Sequence, residues 1–283
     1  MMTACGYADG DPIVGGDAGT TGAASGSGTG TGTSATADPG SSSTGEPARC
    51  GCEDLEPGDR CLRFVNACDA PIWIGASGEV EPADAFDGLG MLAPQACVAI
   101  GVHAIAGGRA YGRTDCVDQL CTSDGGAGRG TLVQLALPAD GIDTYDVSLV
   151  DGFNLPMAMA PVGFDPRDLP AGVCRAASCA ADLRVACGEG LARTNDDGDI
   201  AWCESICRAC GACEACDDCS DPAAPACTPC GATASTCCSE TRCASNAYTE
   251  LWKSLCPDAI TYSGEGTAFT CDRRSDFDIV FCP

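Results

Sequence analysis

The density of cysteine constrains this chain more than any other feature of its sequence. There are 25 cysteines among 283 residues, a frequency far above that of ordinary cytosolic proteins. Either disulfide bonds or bound metal must engage so many thiols. The single histidine, His103, excludes a metal site built from several histidines. We therefore expect an exported protein whose fold is held together by disulfides.

The charge balance excludes two classes of partner. Asp and Glu total 40 and Lys and Arg total 15, which gives a formal net charge of -25. Such a chain repels phosphate backbones and anionic lipid headgroups, so we expect no nucleic-acid partner and no electrostatic membrane docking. No apolar run is long enough to span a bilayer. We also expect no cofactor and a monomeric protein.

The N-terminal region differs in composition from the rest of the chain. Between positions 15 and 45, 29 of 31 residues are Gly, Ser, Thr, Ala or Pro. Such a segment lacks side chains that build a core, which predicts a flexible linker. We therefore divide the chain into a disordered tether at 1–49 and a folded domain at 50–283.

The segment Met2-Thr3-Ala4-Cys5-Gly6 resembles a bacterial lipobox, in which small residues precede a cysteine that becomes lipidated. A signal peptide would then lie upstream of Met1. On this interpretation a lipid at Cys5 anchors the domain at the bacterial cell surface, at the outer membrane. The alternative is an incidental Cys5 in a secreted protein. The odd cysteine count favours the anchor, because lipidation of Cys5 leaves an even number for pairing.

Strand signals dominate the folded domain. Apolar residues alternate or cluster over 62–66, 70–74, 98–105, 131–137, 144–150 and 277–281. The first two runs follow one another as in a β-hairpin. These runs predict a mainly β protein, a β-sandwich that carries a disulfide-held lobe.

Helix signals are fewer and fall within the cysteine-dense region. The clearest helix is predicted at 245–255, with a serine cap and apolar positions 248, 251, 252 and 255 on one face. Shorter candidates are 179–185 and 204–209.

Several segments together resemble the thaumatin-like proteins, the family of thaumatin and the plant osmotins, also called pathogenesis-related group 5. The segments occur in family order and are FVNAC at 64–68, RTDC at 113–116, YDVSLVDGFNLPM at 145–157, CPDA at 256–259 and FCP at 281–283. The resemblance implies a thaumatin-like β-sandwich with a disulfide-rich loop and helix lobe and a small C-terminal lobe.

The resemblance also implies a set of disulfide pairs that spacing alone does not give. The implied pairs are Cys68 with Cys282, Cys116 with Cys121, Cys174 with Cys271, Cys179 with Cys256, Cys187 with Cys203, Cys207 with Cys237, and Cys238 with Cys243. Outside this framework, Cys50, Cys52, Cys61 and Cys97 are expected to form two further pairs near the first strands.

A second cysteine pattern lies in an insert at 208–233. Its six cysteines are mostly separated by two residues and are Cys210, Cys213, Cys216, Cys219, Cys227 and Cys230. Such spacing suits a zinc or iron–sulfur site, or three additional disulfides. Export favours the disulfides, so we expect no metal.

The family has an acidic cleft between the sandwich and the lobe, made by an arginine, a glutamate and three aspartates. The matching motifs place the arginine at Arg129 and the aspartates at Asp146, Asp151 and Asp258. The glutamate position holds Gln134. Some family members bind β-1,3-glucans and a few are reported to hydrolyse them.

The substitution at Gln134 bears directly on mechanism. Glycoside hydrolysis ordinarily uses two carboxyl groups, one of which donates a proton, and an amide cannot act as that acid. Gln134 can still donate and accept hydrogen bonds with sugar hydroxyls. We therefore expect a module that binds a β-1,3-glucan-like polysaccharide and assign no catalytic residue.

Other interpretations of the same residues stay open. One is a weak endo-β-1,3-glucanase or an antifungal defence protein, since clustered aspartates raise the pKa of one of their number. Another is a structural or hydrolase-inhibitor protein. In the simplest interpretation, Asp146 and Asp151 cap turns at strand ends and Arg129 neutralises them. His103 is expected to pack or face solvent rather than to catalyse.

Overall fold

A computed structural model of the chain describes residues 50–52, 55–117, 120–123, 130–163, 173–188, 190–205, 245, 247–262, 265–266, 268–272 and 274–283. The tether at 1–49 with Cys5, the cleft residue Arg129, and the insert at 208–233 lie outside these residues.

Two large sheets form the body of the domain. The first has five strands, which in order across the sheet are β11 (Ala177–Cys179), β10 (Met157–Val162), β15 (Asp276–Phe281), β1 (Arg60–Asn66) and β4 (Cys97–Val102). β1 and β15 run parallel, whereas the other neighbours are antiparallel.

The second sheet has seven strands and carries most of the candidate site. In order they are β14 (Phe269–Cys271), β8 (Asp143–Ser148), β7 (Leu132–Leu137), β5 (Ala104–Val117), β2 (Ile72–Glu81) and β3 (Met91–Leu92), with β6 (Leu120–Ser123) paired to β5.

The core lies between these two sheets, and its side chains follow the alternation that strands impose. The five-stranded sheet contributes the fully buried Phe64 on β1 and Phe281 on β15, and the seven-stranded sheet contributes the fully buried Val133 and Val147. The aromatic ring of Tyr145 packs edge-on against Phe277 with ring centroids 5.1 Å apart. The predicted mainly β sandwich is confirmed.

A smaller lobe adjoins the sandwich. It contains a three-stranded sheet in the order β12 (Ala192–Thr194), β13 (Ile200–Glu204) and β9 (Gly152–Phe153), a 3-10 helix (Leu183–Ala186), and α1 (Ala247–Leu255). The disulfide Cys187–Cys203 joins the 3-10 helix to β13, and Cys179–Cys256 ties β11 to the end of α1.

The segment after α1 returns the chain to the sandwich. Ile260 makes a parallel bridge with Ser148 at the end of β8. β14 then pairs with β8 at the edge of the seven-stranded sheet, and β15 follows.

The prediction of a hairpin between residues 62–66 and 70–74 is wrong. β1 pairs with β15 and β4, whereas β2 pairs with β3 and β5, so the two strands belong to different sheets. The buried amide of Asn66 explains the crossing, because its Nδ2 donates to the carbonyls of Ala70, Leu92 and Ala93. These bonds fix a corner between the sheets where a hairpin turn was expected.

The strand expected at 98–105 is divided at His103. β4 ends at Val102 in one sheet and β5 begins at Ala104 in the other, and the backbone N–H of His103 donates to the carbonyl of Glu81. The imidazole is partly exposed, with Nδ1 3.4 Å from Oδ1 of Asp59. His103 therefore occupies a second corner between the sheets.

The helix expected at 245–255 is present as α1, but its apolar face is narrower than the spacing suggested. Trp252 is buried, whereas Leu251 and Leu255 are 43% and 42% exposed. The helix expected at 179–185 is replaced by the end of β11 and a 3-10 turn. Glu204, the start of another expected helix, ends β13. Within the described ranges, no helix has the length and apolar character needed to cross a bilayer.

Seven disulfides lie within the described residues. Five are pairs that the family resemblance implies: Cys68–Cys282, Cys116–Cys121, Cys174–Cys271, Cys179–Cys256 and Cys187–Cys203. The other two are Cys50–Cys97 and Cys52–Cys61, which join the start of the domain to β4 and β1. The expected pairs Cys207–Cys237 and Cys238–Cys243 lie outside the described residues. This number of disulfides indicates an oxidising, extracytoplasmic compartment.

Candidate functional site

One face of the seven-stranded sheet points away from the sandwich core. On β5, a Cβ added at Gly112 would lie 3.0 Å from the ring of Phe281, so Gly112 faces the core. Side chains alternate along a strand, and Arg109, Tyr111 and Arg113 therefore point to the opposite face. We call this opposite side the outer face.

Strand register places a row of polar residues across four strands of the outer face. Ser77 on β2 lies opposite Arg109 on β5, Arg109 lies opposite Gln134 on β7, and Gln134 lies opposite Asp146 on β8. Directly opposed residues on antiparallel strands have Cβ atoms about 4.5–5.5 Å apart. Gln134 and Asp146, both expected in the cleft, are thus immediate neighbours.

Solvent exposure decreases along this row from Ser77 to Asp146. We call its buried part, Gln134 and Asp146, the floor of the site. Ser77 and Arg109 are exposed, whereas Gln134 and Asp146 are each only 7% exposed. Oδ1 of Asp146 is fully buried and has no hydrogen-bond partner among the described residues. A buried polar atom without a partner is destabilising by about 1–3 kcal/mol. The floor therefore presents hydrogen-bonding groups that the described fold leaves unused.

Burial also changes the protonation of the floor. Loss of solvation raises the pKa of the Asp146 carboxyl from its ordinary value of 3.8 to about 7. Below that pH the carboxyl is mostly neutral and can donate a hydrogen bond as well as accept one.

Asp151 lies where the seven-stranded sheet meets the lobe. A turn follows β8, with the N–H of Gly152 donating to the carbonyl of Leu149, and Asp151 is half-buried within it. Gly152 has φ of 130°, and a Cβ there would lie 2.6 Å from the carbonyl oxygen of Cys203 on β13. Only glycine allows this turn and this approach of the lobe, so the glycine after Asp151 constrains the backbone from which that side chain extends.

Asp258 lies in the segment after α1, which also meets the end of β8. It follows α1, and two residues later the chain makes the parallel bridge between Ile260 and Ser148. The N–H of Ile260 donates to the carbonyl of Val147, and the N–H of Leu149 donates to the carbonyl of Ile260. The structure thus brings the segments of Asp146, Asp151 and Asp258 together at the end of β8.

Asn154, in the GFNLPM segment, is a buried support of this region. Its Nδ2 donates to the carbonyl of Gly112 at 2.8 Å, and its Oδ1 accepts from the N–H of Thr131. The Thr131 hydroxyl in turn donates to the carbonyl of Leu155. These bonds fix β5, the start of β7 and the segment after Asp151 relative to one another. They give Asn154 of the GFNLPM segment a structural role.

Tyr111, Arg109 and Arg113 were not anticipated as site residues. The ring of Tyr111 lies over Gly75 of β2, where an added Cβ would be 2.0 Å from Cε2 of the ring. Nε of Arg113 is fully buried and lacks a hydrogen-bond partner within the described chain. The available sequence signal was the alternation of Arg, Tyr and Arg along one strand, in which the second arginine is the first residue of the RTDC segment.

The site is therefore polar, partly desolvated and of mixed charge. Within the part of the chain that the structure describes, no cluster of three or more His, Cys, Asp or Glu side chains is arranged to hold a metal ion. The described groups can offer hydrogen bonds to a polyhydroxyl ligand and an arginine to an anionic one.

Comparisons with known proteins agree with the residue motifs. The sequence profile of the Thaumatin family matches residues 66–283. Thaumatin-like protein 1 of Prunus persica is 31% identical over 248 residues, covering 78% of this chain and 89% of that protein. A Prunus avium protein named glucan endo-1,3-beta-glucosidase is also 31% identical, over 249 residues, covering 78% of this chain and 90% of its own.

Among solved structures, the chain is similar to the thaumatin-like xylanase inhibitor, with 16% identity and a TM-score of 0.35, over 78% of this chain and 99% of that one. The profile match alone spans more than half of the chain, and the relatives match it over most of their own length. The chain belongs to the thaumatin family.

Proposed function

We propose that this protein is an exported carbohydrate-binding module that takes a β-1,3-glucan-like polysaccharide in the cleft at Arg129, Gln134, Asp146, Asp151 and Asp258. The observation that carries the proposal is the buried Oδ1 of Asp146, without a hydrogen-bond partner among the described residues, directly opposite Gln134.

The chemistry of the floor fits a neutral, hydroxyl-rich ligand. A sugar hydroxyl both donates and accepts hydrogen bonds, as do the Gln134 amide and a protonated Asp146 carboxyl. Each bond made at this desolvated floor replaces a group that would otherwise be unsatisfied. Uncharged partners also avoid the repulsion that a net charge of -25 imposes on anions.

A pull-down with insoluble β-1,3-glucan tests the proposal. The wild type should be retained, and Gln134→Leu should reduce affinity about tenfold, because it removes two hydrogen bonds of about 0.5–1.5 kcal/mol each at nearly constant volume. Asp151→Ala should also weaken retention, whereas the exposed Asp87→Ala serves as a control. Equal retention of all four proteins would remove the cleft from the account.

Hydrolysis is a second candidate, favoured by one observation. A carboxyl with a pKa near 7, as burial gives Asp146, is protonated at mildly acidic pH and suits a general acid. The residue directly opposite it is an amide, so Asp151 or Asp258 would have to act as the second carboxylate. Release of reducing ends from laminarin that is lost in Asp146→Asn would establish this activity. Binding without release would support the module.

The tether at 1–49 and the lipid at Cys5 complete the proposed arrangement, in which the domain at 50–283 is held away from the bacterial surface. The composition of the tether supports this part of the proposal. Fractionation of cells that express the gene with its upstream region would test it. Cys5→Ser should move the protein from the membrane fraction to the soluble exported fraction, and an unchanged distribution would contradict the anchor.

A further inference from the structure

Most of the basic side chains that the structure describes are already engaged. Nine arginines and lysines lie within the described residues. Five of the nine form ion pairs with carboxylates: Arg60, Arg63, Arg184, Arg193 and Lys253. A sixth, Arg274, donates to the backbone carbonyls of Ala139 and His103.

The remaining three are Arg109, Arg113 and Arg175, which make no ion pair or side-chain hydrogen bond in the described part of the chain. Two of them, Arg109 and Arg113, lie on the same face of β5. In a chain with 40 acidic residues and 15 basic ones, arginines that stay unpaired beside a binding floor are available to a ligand.

The surroundings of Arg109 connect it to the floor. It lies opposite Gln134 on one side and opposite Ser77 on the other. Four residues along β5 is a distance of about 13 Å, so Arg109 and Arg113 flank the ring of Tyr111 and meet different parts of an extended ligand. Arg113, as a whole residue, is only partly buried.

We propose that Arg109 forms an acidic-sugar subsite, which binds the carboxylate of a uronic-acid residue in a polysaccharide whose neutral part lies over Gln134 and Asp146. This inference rests on the proposed carbohydrate-binding function and names its ligand class. The Tyr111 ring, lying over Gly75 between the two arginines, supplies an apolar surface for a sugar ring. Arg113 takes an oxygen of a neighbouring sugar.

Charge limits the ligand to one with few acidic groups. Glu79 and Glu81 lie further along the same face of β2, opposite Ala106 and Ala104, and the whole chain carries a net charge of -25. Both disfavour a polyanion. An isolated carboxylate can still bind, because a guanidinium presents two parallel N–H donors to it, and charges more than about 8 Å away are largely screened at physiological salt.

The test compares two ligands that differ only in the carboxylate. Laminarin and laminarin lightly oxidised at C6 are titrated calorimetrically into the full chain at 0.15 M salt. The oxidised polymer should bind about tenfold more tightly, the gain expected from a charge-assisted hydrogen bond. Arg109→Gln should remove that preference, so that this variant binds laminarin and its oxidised form with equal affinity. Arg175→Gln, which changes an exposed arginine elsewhere, should keep it.

Further arms separate this inference from the function on which it rests. If laminarin binds and its oxidised form binds no more tightly, the proposed function stands and the subsite is overturned. If neither polymer binds, saturation-transfer NMR compares the binding of methyl β-glucuronide with that of methyl β-glucoside and so tests the subsite by itself. Uronide binding that needs Arg109 supports the subsite, and its absence overturns it. If laminarin sulfate binds as tightly as the oxidised polymer, the subsite is a general anion site and the carboxylate assignment is wrong.

Discussion

Asp146→Asn isolates the energetic consequence of placing a carboxyl on a desolvated floor. In the unfolded chain this carboxyl titrates near 3.8, and burial raises its pKa in the folded protein to about 7. The folded state therefore favours the neutral form. As pH rises from about 4 to 7, the unfolded chain ionises this group while the folded protein resists doing so, which lowers the free energy of unfolding. Asparagine does not titrate, so the variant lacks this loss.

The magnitude follows from the two pKa values. Because one pKa unit corresponds to about 1.4 kcal/mol, the interval from 3.8 to about 7 amounts to about 4 kcal/mol at pH 7 and above. At pH 5 the same linkage gives about 2 kcal/mol. About 0.6 kcal/mol of this effect is already present at pH 4. Relative to its value at pH 4, the stability of Asp146→Asn should therefore rise above that of the wild type by about 1 kcal/mol at pH 5 and about 3–4 kcal/mol at pH 7.

Guanidinium unfolding at pH 4, 5, 6, 7 and 8, without reductant, measures this difference. Asp87→Asn, which changes an exposed carboxylate, serves as the control and should follow the wild type throughout. A gap between Asp146→Asn and the wild type that stays constant with pH would contradict this prediction, because it would show that Asp146 titrates equally in the folded and unfolded states.

Three further substitutions test the supports of the site. Asn154→Leu should lower the free energy of unfolding by about 2–3 kcal/mol in chemical denaturation, because it orphans a buried carbonyl and a buried N–H; no loss would contradict its bridging role. Gly75→Ala should destabilise through its clash with the ring of Tyr111, and the double variant with Tyr111→Ala should recover part of the loss, a coupling whose absence in a double-mutant cycle would disprove the contact. Arg60→Met should cost about 3–5 kcal/mol in the same assay, because it leaves the buried Asp143 without its cation, and a neutral outcome would show that this pair is solvated.

The sequence predicted the elements whose signals are local. The runs at 131–137 and 277–281 became β7 and β15 within one residue, because their apolar residues pack a single core. The sheet to which each strand belongs could not be predicted from the sequence in the same way. The corner at Asn66 depends on carbonyls of residues 70, 92 and 93, and contacts between distant segments leave no periodic pattern.

In the candidate site, too, local motifs were predictable from the sequence and contacts between distant strands were not. Motifs were sufficient to single out Gln134 and Asp146, and the register of β7 and β8 makes them neighbours. The burial of Asp146 and the turn of Arg109 toward the same face depend on the register of four strands, which composition and spacing do not reveal. The exposed Leu251 and Leu255 on α1 were missed because helical periodicity shows which residues share a face and not what covers it.

The proposed function requires that the floor formed by Gln134 and Asp146 binds a polysaccharide. Hydrogen–deuterium exchange with and without laminarihexaose measures this binding at the two strands that carry the floor. We expect slower exchange in β7 and β8 on addition of the oligosaccharide, with no such change in Gln134→Leu. Exchange that is unchanged in these strands at saturating ligand, or protection confined to the five-stranded sheet, would contradict it.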